Sequence, residues 1–244
     1  MKDDPIDRKR EGKIINIPAN RISNTFTHQF RTPLTAITGY ISLLRDGAFG
    51  NLSIEQLDVV GIISRNLRRV NILLDDLKDL NNIDSGNIVF GKSLISIEEL
   101  LKPLVRDFAI LADEKDLEFT VMTGEGIKIF VDVEAIRRAL LHIVHNAINY
   151  TPVGKVMIKA TRDGSECVIE VVDTGVGIDN EDMQHLFTKY FRSAKSYIRE
   201  SPGAGLGLYI AKSLVESNAG SVNIDSEPGS GTTVTIRLPL TLSS

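Results

Sequence analysis

Two sets of residues in this 244-residue chain could do chemistry, one near its start and one spread through its second half. The first is Phe26-Thr27-His28-Gln29-Phe30-Arg31-Thr32-Pro33-Leu34. His28 falls two residues from both Phe26 and Phe30, which belong to an apolar stripe, so the histidine points to solvent. Pro33 removes the amide that would bond the Gln29 carbonyl and bends the helix just after His28. Read alone, this is a surface histidine on a kinked helix. The second set has four parts. Asn146 shares a helical face with His142 and Asn149. Asp173-Thr174-Gly175-Val176-Gly177-Ile178 follows a strand pattern; a carboxylate there can accept from a purine amino group while the glycines let backbone approach closely. Gly203-Ala204-Gly205-Leu206-Gly207-Leu208 opens a helix, where free amides and the positive dipole end suit phosphate. Gly229-Ser230-Gly231-Thr232 turns into a final strand. Each part alone also fits an ordinary turn, loop or helix cap.

The elements that must hold these residues follow from periodicity. A helix is expected from about Asn20 to Asp46, with Ile22, Phe26, Phe30, Ile37, Ile41 and Leu44 on one face. Gly47 to Leu52 is a turn, and Ser53 with Gln56 forms a capping-box pattern that starts a second helix. Leu57, Val60, Ile63, Leu67, Val70, Leu74 and Leu77 give it a coiled-coil-like seam. Two antiparallel helices cannot bury both stripes, which calls for a dimer of four packed helices or for cover by the back of the same chain. Asn81 to Asn87 reads as a linker. Ser96 caps a helix with Leu100, Leu101, Leu104, Val105, Phe108 and Leu111 on its apolar face. Strand patterns follow at Leu117–Thr123 and Ile127–Val131, then a helix from Val133 to Tyr150. A hairpin spans Lys155–Thr161 and Glu166–Val172. A polar stretch from Asp179 to Ala204 precedes a helix from Leu206 to Ser217 and strands at Ser221–Asp225 and Thr232–Leu238. The fold class expected is an all-α antiparallel helical hairpin, a four-helix bundle as a dimer, followed by an α/β sandwich with helices on one face of an antiparallel or mixed sheet.

Composition narrows the classes. A net charge of −4 offers no nucleic-acid footprint. No apolar run reaches the ~20 residues that span a bilayer, and no signal peptide opens the chain, so no membrane segment is expected within it. One cysteine, Cys167, excludes an internal disulfide and a thiolate metal cluster, and fits a reducing, cytoplasmic compartment.

In this order and spacing the motifs are far more specific together than apart. The back two-thirds resembles the ATP-binding domain of sensor histidine kinases, the Bergerat fold of the GHKL superfamily. Asn146 matches the asparagine box, Asp173–Ile178 and Gly203–Leu208 match the two glycine boxes, and Leu186-Phe187-Thr188-Lys189-Tyr190-Phe191-Arg192 is similar to the phenylalanine box between them. The front third resembles the dimerisation and histidine phosphotransfer domain of the same family, with His28 to Leu34 as the phosphoacceptor box. The expected layout is a lead-in at 1–19, the phosphotransfer domain at 20–81, a linker at 82–92 and the ATP-binding domain at 93–244.

The resemblance implies two-component signalling. ATP and Mg²⁺ are the implied cofactors, and a homodimer and a response-regulator receiver domain the implied partners. His28 attacks the γ-phosphorus and must be neutral to do so. Asp173 accepts from the adenine amino group, and Asn146 ligates Mg²⁺. Gly203, Gly205 and Gly207 let residues 179–202 close as a lid. Tyr150 packs near the nucleotide. Gly175, Gly177, Ile178, Leu206, Leu208 and Thr232 complete the boxes that bind it.

Three residues depart from the family pattern. Gln29 stands where a glutamate or aspartate is taken as general base, and an amide cannot accept that proton. His142 stands where the family has an asparagine or carboxylate. Asn149 replaces a basic residue that reaches the phosphates, a role left to Lys189, Arg192 or Lys195. The outcome is either a slower working kinase, or a protein that acts mainly as a phosphatase or nucleotide-binding scaffold, with Gln29 and Thr32 orienting a water. A nucleotide-gated ATPase without phosphohistidine would not need the front third. His142 and His145 also invite a zinc reading, though no further ligand is evident nearby.

Overall fold

A computed structural model describes residues 19–86, 91–193 and 204–240, with side chains from residue 29 onward. Helices α1 (Ala19–Arg45) and α2 (Ile54–Asp84) form an antiparallel hairpin. Its turn uses Gly47 and Gly50, both with positive φ, and α2 starts on the reciprocal capping box of Ser53 and Gln56. Arg31 of α1 donates to Asp75 of α2 at 2.6 Å. The helix α2 runs to Asp84, past the break expected at Asn81. The Asn81 side chain donates to the Leu77 carbonyl and Ser85 closes the end, while Leu80 and Ile83 pack on the core of the second unit. Burial of that turn outweighs the weak helix propensity of the asparagines.

The second unit begins with β1 (Lys92–Ser96), a strand the sequence reading missed. Its residues alternate little, and it forms by pairing antiparallel with β3 (Lys128–Asp132) rather than by joining the main sheet. Ser96 and Glu99 make a second capping box at the head of α3 (Ile97–Asp113). The main sheet has the order β2-β4-β5-β7-β6, from β2 (Glu118–Thr123), β4 (Lys155–Asp163), β5 (Glu166–Asp173), β6 (Ser221–Glu227) and β7 (Gly231–Pro239). Only the β2–β4 pair among these is parallel.

One face of this sheet is buried. Ile158, Val171, Val234 and Ile224 stand in register across four strands, and Ala160, Ile169 and Ile236 form the next row. Against that face pack α3, α4 (Val133–Tyr150) and α6 (Gly207–Ser217), which supply Leu100, Phe108, Ile136, Leu140, Ile143 and Ile210. The polar stretch holds one short helix, α5 (Asn180–Met183). Residues 194–202 of the lid expected from the sequence lie outside the described residues.

The second unit takes up Leu80 and Ile83, which lie off the α2 seam, and leaves much of the hairpin stripes exposed. Phe30 is 55% exposed and Leu77 41%, and Ile37, Leu57, Ile63 and Val70 are also exposed. Phe108 lies at the centre of the covered core at 1% exposure. Replacing it with alanine is expected to cost about 3–5 kcal/mol. Urea unfolding followed by circular dichroism should show a clearly lowered midpoint; an unchanged midpoint would contradict the placement of the core.

Candidate functional site

A cleft of about 1370 Å³, counted out to its open mouth, lies between α4, the end of β5 and the head of α6. Helix α4 is positioned by Asp132, whose carboxylate accepts from the Ala135 amide at 2.9 Å. Its apolar face is buried on the sheet, which turns His142, Asn146 and Tyr150, at four-residue steps, toward the cleft.

The inner end of the cleft is built on Asp173. This last residue of β5 is 8% exposed. Its Oδ1 accepts from the amides of Gly175 at 2.9 Å and Thr232 at 3.2 Å. Its other oxygen makes no hydrogen bond to a described residue and is available to a ligand. Burial pushes the carboxyl above its usual range and the two amides pull it back. The following loop is stitched on both sides. The Val176 amide donates to the Tyr150 carbonyl, the Gly229 amide to the Val176 carbonyl, and the Ile178 amide to the Ser226 hydroxyl. Two glycines are required by contact. A Cβ on Gly175 would lie 2.3 Å from the Tyr150 carbonyl oxygen, and one on Gly177, at φ +66°, would lie 2.0 Å from that of Glu227.

The outer end is more polar. Asn146 lines the cleft, and its amide makes no hydrogen bond to a described residue. That leaves its carbonyl oxygen, a hard donor of the type Mg²⁺ prefers, unopposed. Gly205, Gly207 and Leu208 line the cleft where α6 begins, with Phe191 and Arg192 beside them. The Tyr190 amide donates to the Gly205 carbonyl at 2.9 Å and ties the two segments together. Ile178 and Thr232 line the cleft as well. Tyr150 sits at its rim with a phenol pushed up by burial.

Not every residue singled out from the sequence comes to this cleft. Lys189 does not line it. Its ammonium pairs with Asp84 of α2 at 2.5 Å and lies over the Tyr209 ring. Asn149 turns back along α4, its amide 2.9 Å from His145 Nδ1. Leu206 is buried as the residue before α6, and Gly175 sits behind Asp173 rather than on the cleft wall. Gly203 and Lys195 lie outside the described residues. Position 28 lies within α1, and the His28 side chain is outside the described residues too. Gln29 and Thr32 are exposed on the same helix. Among the described residues no three potential His, Cys, Asp or Glu ligands gather around a common point.

Sequence reading also missed a wall of the cleft. Ile72 and Asp76 of α2 line it, although they belong to the helical hairpin. Asp76 lies 3.5 Å from His142 Nε2, and Arg138 of α4 pairs with Asp79 of α2. Burial is the main cause that brings His142 down to about 4, helped by Arg138 and His145, so its ring is neutral. Burial first, and then the charge of Asp75, bring Asp76 up to about 6 against the pull of Arg138. The available signal was the stripe Ile72, Asp76, Asp79, Ile83 at steps of three and four, on a side of α2 separate from the seam.

Known proteins share both units. The family model for the histidine kinase-, DNA gyrase B- and HSP90-like ATPase matches residues 131–242, and that for the His Kinase A (phospho-acceptor) domain matches residues 20–86. The autoinducer 2 sensor kinase/phosphatase LuxQ of Vibrio parahaemolyticus is 30% identical over 222 residues, covering 88% of this chain and 26% of that protein. The sensor protein GacS of Pseudomonas syringae is 30% identical over 235 residues, covering 92% of this chain and 26% of that protein. The chain therefore spans about a quarter of the length of these curated relatives. Among solved structures, full-length ShkA in complex with AMPPNP is similar with a TM-score of 0.70 and 26% identity, over 92% of this chain and 47% of that one. The Acinetobacter baumannii histidine kinase AdeS shares the fold, with a TM-score of 0.61 and 21% identity over 88% of this chain and 98% of that one.

Two expectations follow from the geometry. Gly177→Ala forces a Cβ into the Glu227 carbonyl and should abolish nucleotide binding in calorimetry, whereas binding at wild-type strength would contradict the loop's role. The His142–Asp76 pair makes opposing contributions to acid stability. Between about pH 4 and 6.5 the unfolded chain binds the His142 proton that the native state refuses, so His142 alone makes stability fall as pH falls. Between about 3.8 and 6 the native state holds a proton on Asp76 that the unfolded chain has lost, so Asp76 alone makes stability rise as pH falls. The two cancel over most of that window. His142→Gln removes the first, so its stability relative to the parent should rise on going from pH 6 to pH 4.5, by at most about 1.4 kcal/mol per pH unit. Urea midpoints at the two pH values test this, and a difference that does not vary with pH would refute it.

Proposed function

Because the chain belongs to the histidine kinase family, we propose that it autophosphorylates His28 from ATP and passes the phosphoryl group to an aspartate of a response-regulator receiver domain. The observation that carries this reading is the cleft itself, in which Asn146, Asp173 and the glycine segments come together beside a hairpin bearing the phosphoacceptor motif. Asp173 receives the adenine amino group on its free oxygen. Gly205 and Gly207, at the head of α6, bring free amides to the phosphates. Arg192, which lines the cleft, would add positive charge there, and Lys189 pairs with Asp84 outside it. Asn146 holds Mg²⁺ through its carbonyl oxygen, and the ion supplies charge neutralisation to the phosphates.

In the transfer, a ring nitrogen of neutral His28 forms the bond to the γ-phosphorus as the bond to the β–γ bridging oxygen breaks and ADP leaves. The ring proton on the other nitrogen must then go to a base. Gln29 cannot take it, which makes water the acceptor and the step slow. The exposed apolar stripes of α1 and α2 support a homodimer in which four helices pack together. Among the described residues no helix is long and apolar enough to cross a membrane. A cytoplasmic setting is part of the same reading and fits the buried, unpaired Cys167.

A second reading rests on Gln29 and Thr32, exposed three residues apart on α1, where they could orient a water for removal of phosphate from a response regulator. LuxQ, a relative, is a sensor kinase/phosphatase by name. Incubation with γ-labelled ATP and Mg²⁺ separates the two readings. The kinase reading predicts an acid-labile label that disappears in His28→Ala. It also predicts that Gln29→Glu labels about 10²-fold faster or more, since it restores a general base. Nucleotide binding without any label would favour the phosphatase reading, and an unchanged rate in Gln29→Glu would refute the missing-base argument.

A further inference from the structure

The last three turns of α2 carry four carboxylates, Asp75, Asp76, Asp79 and Asp84. Three of them have a cation. Asp75 pairs with Arg31 at 2.6 Å, Asp79 with Arg138, and Asp84 with Lys189 at 2.5 Å. Asp76 has no lysine or arginine nitrogen within 4 Å among the described residues, and the His142 Nε2 lies 3.5 Å from its Oδ1. Arg138 is close enough to be felt but is committed to Asp79, and Asp75 adds a second negative charge nearby. Asp76 is also the most consequentially placed of the four. It is 5% exposed, it lines the cleft beside His142 and Asn146, and its Oδ1 is buried with no hydrogen-bond partner.

A buried carboxylate oxygen without a hydrogen-bond donor is costly, the charge of Arg138 offsets only part of that cost, and such an atom on a cleft wall favours a bound cation. His142 places it next to the outer end of the cleft. His142 precedes Asn146 by one helical turn on the same face of α4 and lies against the head of α6, 3.3 Å from where a Gly207 Cβ would stand. We propose that Asp76 is a second protein oxygen ligand for the Mg²⁺ that accompanies ATP, so that the metal joins α2 of the hairpin to the nucleotide cleft. This rests on the reading of the cleft as an ATP site. It suits the ion, which is bound through one or two protein oxygens together with substrate phosphates and water. It also gives the hairpin a direct means of registering whether the cleft holds metal-bound nucleotide.

Calorimetry with AMPPNP, in excess MgCl₂ and in EDTA, tests the assignment. The wild type is expected to bind more tightly with Mg²⁺ than in EDTA. Asp76→Asn should lose about tenfold or more of that gain while keeping wild-type affinity in EDTA, which also shows that it is folded. Asp79→Asn, which breaks a neighbouring pair without touching the metal, should keep the gain. Asp76→Asn with the full Mg²⁺ gain would overturn the proposal. So would tighter binding of Asp76→Asn in both buffers, because Asp76 would then be repelling phosphates. Equal losses in Asp76→Asn and Asp79→Asn would overturn it too, since docking of α2 and not ligation would be responsible. Failure of the wild type to bind AMPPNP in either buffer would remove the ATP-site reading and this assignment together.

Discussion

The candidate site depends on how Asp173 is held. One oxygen of its carboxylate accepts from two amides that come from different parts of the chain, the loop after β5 and the start of β7. That arrangement fixes the side chain and commits the remaining oxygen to whatever enters the cleft. It also explains why glycine recurs around it. The loop must pass within contact distance of the end of α4 at Gly175 and of the β6–β7 turn at Gly177, and any side chain there would collide with backbone. A buried carboxylate that keeps a free acceptor is expensive, and the two amides offset part of that cost. The rest of the fold supplies the rigidity. Asp173 closes a β5 strand paired on both sides, and the apolar row beneath it is fully covered by helices.

A second constraint joins the two units. The end of α2 is part of the second unit's core through Leu80 and Ile83, and part of the cleft wall through Ile72 and Asp76. A ladder of polar contacts runs along the same side, with Asp76 beside the neutral His142 ring and the ion pairs of Asp79 with Arg138 and Asp84 with Lys189. The departure at His142 and the position of Lys189 make sense in this setting. His142 packs neutral against α2 and α6, where a carboxylate would have met Asp76 with like charge. Lys189 serves the contact between units instead of the phosphates.

Much of this was legible in the sequence. The capping box of α2 was read from the pair Ser53 and Gln56, and the start of α3 from Ser96 alone, without its partner Glu99. The bounds expected for α4, Val133 to Tyr150, are those it has. The glycine segments around the cleft were legible because close backbone approach demands glycine at fixed spacing. What the sequence did not show is long-range. Strand β1 exists because of its partner β3, and nothing in Lys92–Ser96 alone favours it strongly. The extra turn of α2 is formed by burial against a unit that begins later in the chain. The place of Asp76 in the cleft, and the diversion of Lys189 to Asp84, depend on how α2 docks, which local periodicity cannot express.

The measurement that tests the account most directly is competition for the cleft between ATP and inosine triphosphate, read by displacement of a fluorescent ATP analogue. The two differ at the exocyclic position, where ATP has an amino donor and inosine triphosphate a carbonyl acceptor. If Asp173 presents its free oxygen to that position, inosine triphosphate must bind at least about 100-fold more weakly, because it sets an acceptor against a buried acceptor. Affinities within a few-fold of each other would mean that Asp173 does not read the base, and would contradict its place at the centre of the site.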